Sequence, residues 1–208
     1  SMRLALLLLC FASLLAAAPV PRDYQKEART FYVNAINLLK ERKFGEVFDA
    51  VWAKLEPMQP GIVTAELVPE MRNEFSNWIS TRKAERPIKV GRSKVDQQII
   101  SFLEKREDML NEDARDFWRE FLNNVIASQK KPKFGQFSTP IVAFRTKYDA
   151  LPSTTKDSLV NAYPVFGHLE EIQAYLDVVD SIANHLKGIC EELPGLDLCE
   201  IVMKIFDE

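Results

Sequence analysis

Apolar residues recur every three or four positions along most of this chain, which is the period of an amphipathic α-helix. The clearest apolar stripe runs through Phe44, Val47, Phe48, Val51, Trp52 and Leu55. A second helix is predicted to begin at Asn111 as its N-cap and to bury Phe117, Trp118, Phe121 and Leu122. No segment shows the convincing alternation of a half-buried strand. The pattern therefore predicts an all-α protein.

The same period and the usual end signals place the other helices. They are predicted over about residues 24–39, 67–79, 95–103, 137–148, 153–163 and 166–186, with a last helix over 198–206. Ser138 and Ser153 are predicted N-caps, Pro164 is a predicted stop, and the long helix is predicted to end at Gly188.

Two short motifs occur twice. Ala28-Arg29-Thr30-Phe31 returns as Ala114-Arg115-Asp116-Phe117, and Lys43-Phe44-Gly45 returns as Lys133-Phe134-Gly135. This recurrence predicts two tandem copies of one helical unit, over residues 19–93 and 94–189, packed as one domain. A cysteine loop and a C-terminal helix follow over residues 190–208.

The N-terminal segment has the features of a secretory signal peptide. Arg3 precedes an apolar run from Leu4 to Leu15, and Ala16-Ala17-Ala18 provides small residues for cleavage. The alternative is an uncleaved anchor, but the run is shorter than the roughly 20 residues that span a bilayer. Residues 1–18 are therefore expected to be a signal peptide and the mature protein to be secreted and extracellular.

The numbers and positions of charged residues indicate which classes of partner the protein could bind. Of 27 Lys and Arg residues, removal of Arg3 leaves 26 against 30 Asp and Glu, a net charge of −4, which argues against nucleic acid as a partner. Basic residues cluster in the linker over residues 81–94 and again at Lys130, Lys131 and Lys133. Such clusters are either solvated or form a surface for transient contact with anionic lipid headgroups.

Only two cysteines would remain after signal cleavage. Cys190 and Cys199 flank a Pro194-Gly195 turn signal, and in an oxidising compartment they are predicted to form a disulfide. Closing so short a loop would stabilise the fold by about 2.5 kcal/mol. The alternative is a pair of free thiols.

The sequence contains no recognisable catalytic motif. His168 and His185 are isolated from other metal-type ligands, and zinc-protease, nucleophile-elbow and phosphate-loop motifs are missing. A triad formed in space remains open, but the expectation is a protein that is not an enzyme, with no metal and no cofactor. The 13 Phe, 5 Tyr and 3 Trp residues fall mostly on apolar stripes. They indicate either a solid helical core or a core that leaves a cavity for an apolar ligand.

One region is similar to a known family. Leu110-Asn111-Glu112-Asp113-Ala114-Arg115-Asp116-Phe117, then Lys147-Tyr148-Asp149-Ala150-Leu151-Pro152, then Lys156-Asp157 with Leu159 and Tyr163-Pro164, resemble helix-boundary patterns of the nematode fatty-acid and retinol-binding proteins. The resemblance covers about residues 110–170. Members of that family are secreted, helix-rich lipid carriers.

The resemblance implies an apolar cavity that holds a fatty acid or a retinoid. It maps the cavity onto seven residues, which are Phe117, Phe121, Phe144, Tyr148, Leu151, Leu159 and Tyr163. Lys133, Arg145 and Lys147 lie beside this apolar stripe and are candidate contacts for a ligand headgroup or a membrane surface. The alternative function is a secreted interaction protein with a solid core that binds a host or self protein through a helical face.

Overall fold

A computed structural model describes residues 23–80, 94–128 and 135–193, together with residues 195, 196 and 199. These residues form eight α-helices and one short 3₁₀ helix, and no strand occurs among them. The prediction of an all-α protein is confirmed. The helices are α1 (Tyr24–Lys40), α2 (Phe44–Met58), α3 (Val68–Ser80), α4 (Lys94–Glu107), α5 (Glu112–Ser128), α6 (Thr139–Asp149), α7 (Ser153–Ala162) and α8 (Leu169–Glu192), with the 3₁₀ helix Pro164–His168 between α7 and α8.

Helix α8 is the longest helix described, and it connects the two halves of the chain. Helix α1 packs along α8 and against α2, while α2 packs on α3 and also reaches the 3₁₀ helix. In the second half, α5 packs on α7 and α6 packs on α8. The helices of residues 19–93 and of residues 94–189 therefore share contact surfaces.

Several helices begin or end at a capping side chain or a proline. The Asp23 carboxylate accepts from the N–H of Lys26 at 3.0 Å, and the Asn111 side chain accepts from the N–H of Ala114 at 2.9 Å. The predicted cap at Asn111 is confirmed. Helix α7 ends at Ala162, so the predicted stop at Pro164 is confirmed as well.

The predicted N-cap position of Ser138 before α6 is confirmed, although its side chain makes no capping hydrogen bond. Two other predicted helix ends are wrong. Ser153 is not an N-cap, because α7 begins at Ser153 with Pro152 in the N-cap position. Helix α8 begins at Leu169 and runs through Gly188 to Glu192. A helical glycine costs only about 1 kcal/mol relative to alanine, so the packing of the preceding turns is sufficient to carry the helix past it.

The glycine of the recurring Lys-Phe-Gly motif adopts different conformations at its two positions. Gly45 lies inside the first turn of α2, whereas Gly135 has a φ of +74° and lies in a turn four residues before α6. The helices that follow also differ, with 15 residues in α2 and 11 in α6. The two sequence copies thus differ at this glycine.

The predicted disulfide is confirmed. The sulfur atoms of Cys190 and Cys199 are 2.03 Å apart, and the pair ties residue 199 to the last turns of α8. Four predicted features lie outside the described residues: the signal peptide, most of the basic linker, the cluster Lys130, Lys131 and Lys133, and all of the helix predicted over 198–206 except residue 199.

Candidate functional site

The seven residues mapped as a ligand cavity all belong to one hydrophobic assembly, called here the aromatic cluster. Its buried members are Leu110, Ala114, Trp118, Phe144, Tyr148, Leu159, Ala162, Tyr163, Phe166 and Leu169. Phe117, Phe121 and Leu151 are partly buried and pack against them. Periodicity and resemblance therefore selected residues that the fold brings together, because α5, α6 and α7 turn their apolar stripes toward the same interior.

The rings of the aromatic cluster contact one another directly. The centroids of Trp118 and Tyr163 are 4.6 Å apart, and those of Phe121 and Phe144 are also 4.6 Å apart. Phe166 stacks on Tyr148 at 5.7 Å. These are the separations of rings in van der Waals contact. An apolar ligand that entered the cluster would have to separate some of these rings.

Tyr163 is the most enclosed aromatic residue of the cluster, with only 1% of its surface exposed. Its hydroxyl donates to the carbonyl of Leu103 on α4 at 2.7 Å. Burial, with a further contribution from the nearby Glu107 carboxylate, raises the pKa of Tyr163 to about 12. The phenol is therefore neutral at physiological pH and fixes α4 to the end of α7.

Arg106 provides the second link between α4 and α7. Its guanidinium donates to the carbonyl of Ala162 at 3.0 Å and lies over the ring of Phe102, 4.4 Å from the centroid. Phe102 and Leu103 are partly buried against the aromatic cluster. Helix α4 therefore contributes one wall of the cluster while its opposite side faces outward.

The outward side of α4 forms one wall of an open groove, called here the α4 groove, which encloses about 650 Å³. This volume lies within the roughly 300–1,000 Å³ typical of small-molecule sites. The opposite wall is the connection between α2 and α3, which contributes Ile62, Thr64, Glu66 and Leu67. Phe102 lines the groove and also packs against the aromatic cluster.

The α4 groove is amphipathic. From α4 it is lined by Lys94, Gln97, Gln98, Ser101, Phe102 and Lys105. Gln98 closes the groove toward the opposite wall, because its carbonyl oxygen accepts from the Thr64 N–H at 3.0 Å and its amide donates to the Thr64 hydroxyl at 3.0 Å. The groove can therefore accommodate an apolar chain beside cationic and hydrogen-bonding groups.

Two of the three cations predicted to contact a headgroup, Arg145 and Lys147, do not line this groove. Arg145 donates to Gln173 at 2.7 Å and lines a smaller, separate pocket of about 260 Å³. Lys147 pairs with Glu120 at 3.0 Å on the exposed surface of the second half. Lys133 lies outside the described residues.

Sequence reasoning missed the α4 groove. It placed Lys94 at the end of a basic linker and did not single out Lys105. The missed signal is a polar stripe on α4, formed by Lys94, Gln98, Ser101 and Lys105 at i, i+4, i+7 and i+11. Residues at this spacing lie on one face of a helix.

Within the described ranges, no group of three or more His, Cys, Asp or Glu residues could hold a metal ion. None of the helices described there is both long enough and apolar enough to cross a membrane. A scan against protein-family models gave no match, and searches of the curated proteins and of the solved structures gave none either.

Proposed function

We propose that this protein is a secreted carrier that binds a fatty acid or a retinoid without catalysing a reaction. The observation that carries the proposal is the α4 groove, whose wall residue Phe102 also packs against the aromatic cluster. An acyl chain lying in the groove would need to pass only this ring to reach the apolar interior. The signal-like segment at residues 1–18 supports the extracellular part of the proposal.

The expected affinity depends on where the acyl chain lies. Burying ~16 methylenes completely contributes about 13 kcal/mol, and association costs at least ~4 kcal/mol. In the open groove roughly half of the chain surface would be covered, which leaves about 2 kcal/mol and a Kd above ~1 mM. Binding in the groove alone is therefore too weak for a carrier.

A chain that passes Phe102 into the aromatic cluster gains nearly complete burial but must separate ring contacts. Each ring pair contributes about 0.5–1.5 kcal/mol beyond its area burial, so opening one or two pairs costs about 1–2 kcal/mol. The remainder is about 7–8 kcal/mol, which corresponds to a low micromolar Kd. In the proposed complex the acyl tail lies inside the cluster and the headgroup stays in the groove.

The first test is extraction of protein purified from its native source, followed by mass measurement of the extract. The proposal expects a long-chain fatty acid or retinoid at a substantial fraction of the protein concentration. It also expects oleate in excess to raise the melting temperature of delipidated protein, because ligand that binds only the folded state stabilises it by mass action. An extract without lipid and an unchanged melting temperature would contradict the proposal.

The second candidate is a secreted interaction protein with a solid core. It is favoured by the direct contacts within the aromatic cluster, such as the stacked rings of Trp118 and Tyr163. Its binding surface would include the disulfide-tied end of the chain, where Leu193 and Leu196 are exposed. This candidate predicts no bound lipid and a melting temperature that does not respond to oleate.

A further inference from the structure

The charged residues of the α4 groove are not balanced. Lys94 and Lys105 line it together with a single carboxylate, that of Glu66, so the lining has a formal charge of +1. Among the described residues, neither lysine has a carboxylate within ion-pair distance, whereas Lys147 on the outer surface has Glu120. The groove therefore offers ammonium groups that no carboxylate of the described residues neutralises.

The two lysines lie at opposite ends of the same face of α4. They are 11 residues apart, which is about 16 Å along a helix axis at ~1.5 Å per residue. Phe102 lies between them on α4, with Ile62 and Leu67 in the facing wall. An ammonium group at the end of an apolar trough matches a molecule with one anionic end and an apolar body.

We propose that the α4 groove selects single-chain lipids that end in a carboxylate over otherwise equal lipids that end in an alcohol, with Lys94 and Lys105 as the selecting residues. This inference rests on the proposed carrier function, because it names the ligand class that the carrier prefers. A carboxylate gains charge attraction from an ammonium group, whereas an alcohol offers only a neutral hydrogen bond.

The size of the preference follows from the exposure of the site. Solvent-exposed ion pairs contribute about 0.2–1 kcal/mol, which is up to about a fivefold change in Kd. The ~16 Å spacing exceeds the Debye length of about 8 Å at physiological salt, so a bound carboxylate interacts mainly with the nearer lysine. We therefore expect an acid-over-alcohol preference of about 1.4-fold to fivefold that disappears near 1 M salt, where the Debye length is about 3 Å.

Retinoic acid and retinol form a matched pair of probes, because they share the same polyene and differ only at the terminus. Each is titrated into the delipidated full-length chain, and tryptophan quenching gives the two Kd values at low and high salt. The test variant is Lys94→Gln combined with Lys105→Gln. The control is Lys40→Gln combined with Lys187→Gln, which removes the same charge from exposed positions on α1 and α8.

The expected result is a preference for retinoic acid in the natural chain and the control variant, and equal Kd values for both probes in the test variant. The retinol Kd should change less than about twofold in all three proteins, since this ligand carries no charge. Equal binding of both probes by the natural chain would overturn the headgroup selection and leave the carrier function intact. Failure of both probes to bind would contradict the carrier function and this inference together.

Discussion

Asp180 on α8 is predicted to hold the start of α6 in place. Its side chain is 8% exposed, and its two carboxylate oxygens accept from the N–H of Phe137 at 2.6 Å and from the N–H of Ser138 at 2.9 Å. Helix α6 begins at the next residue, Thr139, and the Ser138 side chain does not cap it. Asp180 therefore fixes, from a distant helix, the N-cap residue of α6 and the residue before it.

The magnitude follows from these two hydrogen bonds. A hydrogen bond to a charged group contributes about 1.5–3 kcal/mol net, and loss of a buried acceptor leaves its donors unsatisfied. Because the site adjoins the surface, water can replace part of the loss in Asp180→Ala. We expect this variant to lower the free energy of unfolding by about 3 kcal/mol, and Asp180→Asn, which keeps one acceptor, by about 1.5 kcal/mol.

The assay is urea unfolding of the full-length variants, combined with hydrogen exchange of the Phe137 and Ser138 amides. Both amides should lose protection in Asp180→Ala. Asp177→Asn on the same helix is the matched control and should change stability by less than about 0.5 kcal/mol. If Asp180→Ala unfolds at the same urea concentration as the natural chain and both amides stay protected, Asp180 does not hold the start of α6 in place.

Three further predictions concern stability. Burial raises the pKa of Tyr163 to about 12, so its contribution to the free energy of unfolding is complete below about pH 10 and is lost as the pH rises toward 12. In Tyr163→Phe, the free energy of unfolding should therefore depend less on pH in this alkaline range. Thr155 is fully buried, and its hydroxyl has no hydrogen-bond partner in the described parts of the chain. Thr155→Val should therefore raise the free energy of unfolding, measured in urea, by about 1 kcal/mol. A lower free energy of unfolding in this variant would contradict the prediction. Reduction of Cys190–Cys199 should lower stability by about 2.5 kcal/mol in thermal or urea unfolding, while a Cys190→Ala, Cys199→Ala variant should not respond to reductant.

The positions of the helices and the residues of the core could be predicted from the sequence, because both depend on patterns between neighbouring residues. The stripe that includes Phe117 and Phe121 repeats with the helical period, and such a stripe must be buried against another element. Phe144 and Tyr148 also repeat with the helical period, and they are the residues that α6 contributes to the aromatic cluster. Periodicity therefore predicted which residues face the interior before their partners were known.

Features that depend on contacts between residues far apart in the sequence could not be predicted. Nothing near Asp180 indicates that its carboxylate binds the residues that lead into a helix more than 40 residues earlier in the chain. Gln59 is a similar case, because its side chain accepts from the N–H of Val165 across 106 residues. The Lys-Phe-Gly motif shows the opposite error, since equal residues suggested equal structure although Gly45 is helical and Gly135 has a positive φ.

The candidate site divides in the same way. The aromatic cluster is a set of apolar stripes and could be predicted, whereas the α4 groove forms where the α2–α3 connection meets α4. Lys94 and Leu67 lie on opposite walls of that groove. Pairing of two such segments is set by tertiary packing, and a single sequence carries no direct signal for it.

The proposed complex requires that an acyl chain enters the aromatic cluster through the α4 groove. The affinity of the protein for a fatty acid tests this entry. Delipidated full-length protein is titrated with oleate, and heat release gives the Kd and the stoichiometry. We expect saturable binding of about one oleate with a low micromolar Kd, near −7 to −8 kcal/mol. No saturation below about 1 mM would mean that the rings stay closed and that the chain does not enter the aromatic cluster.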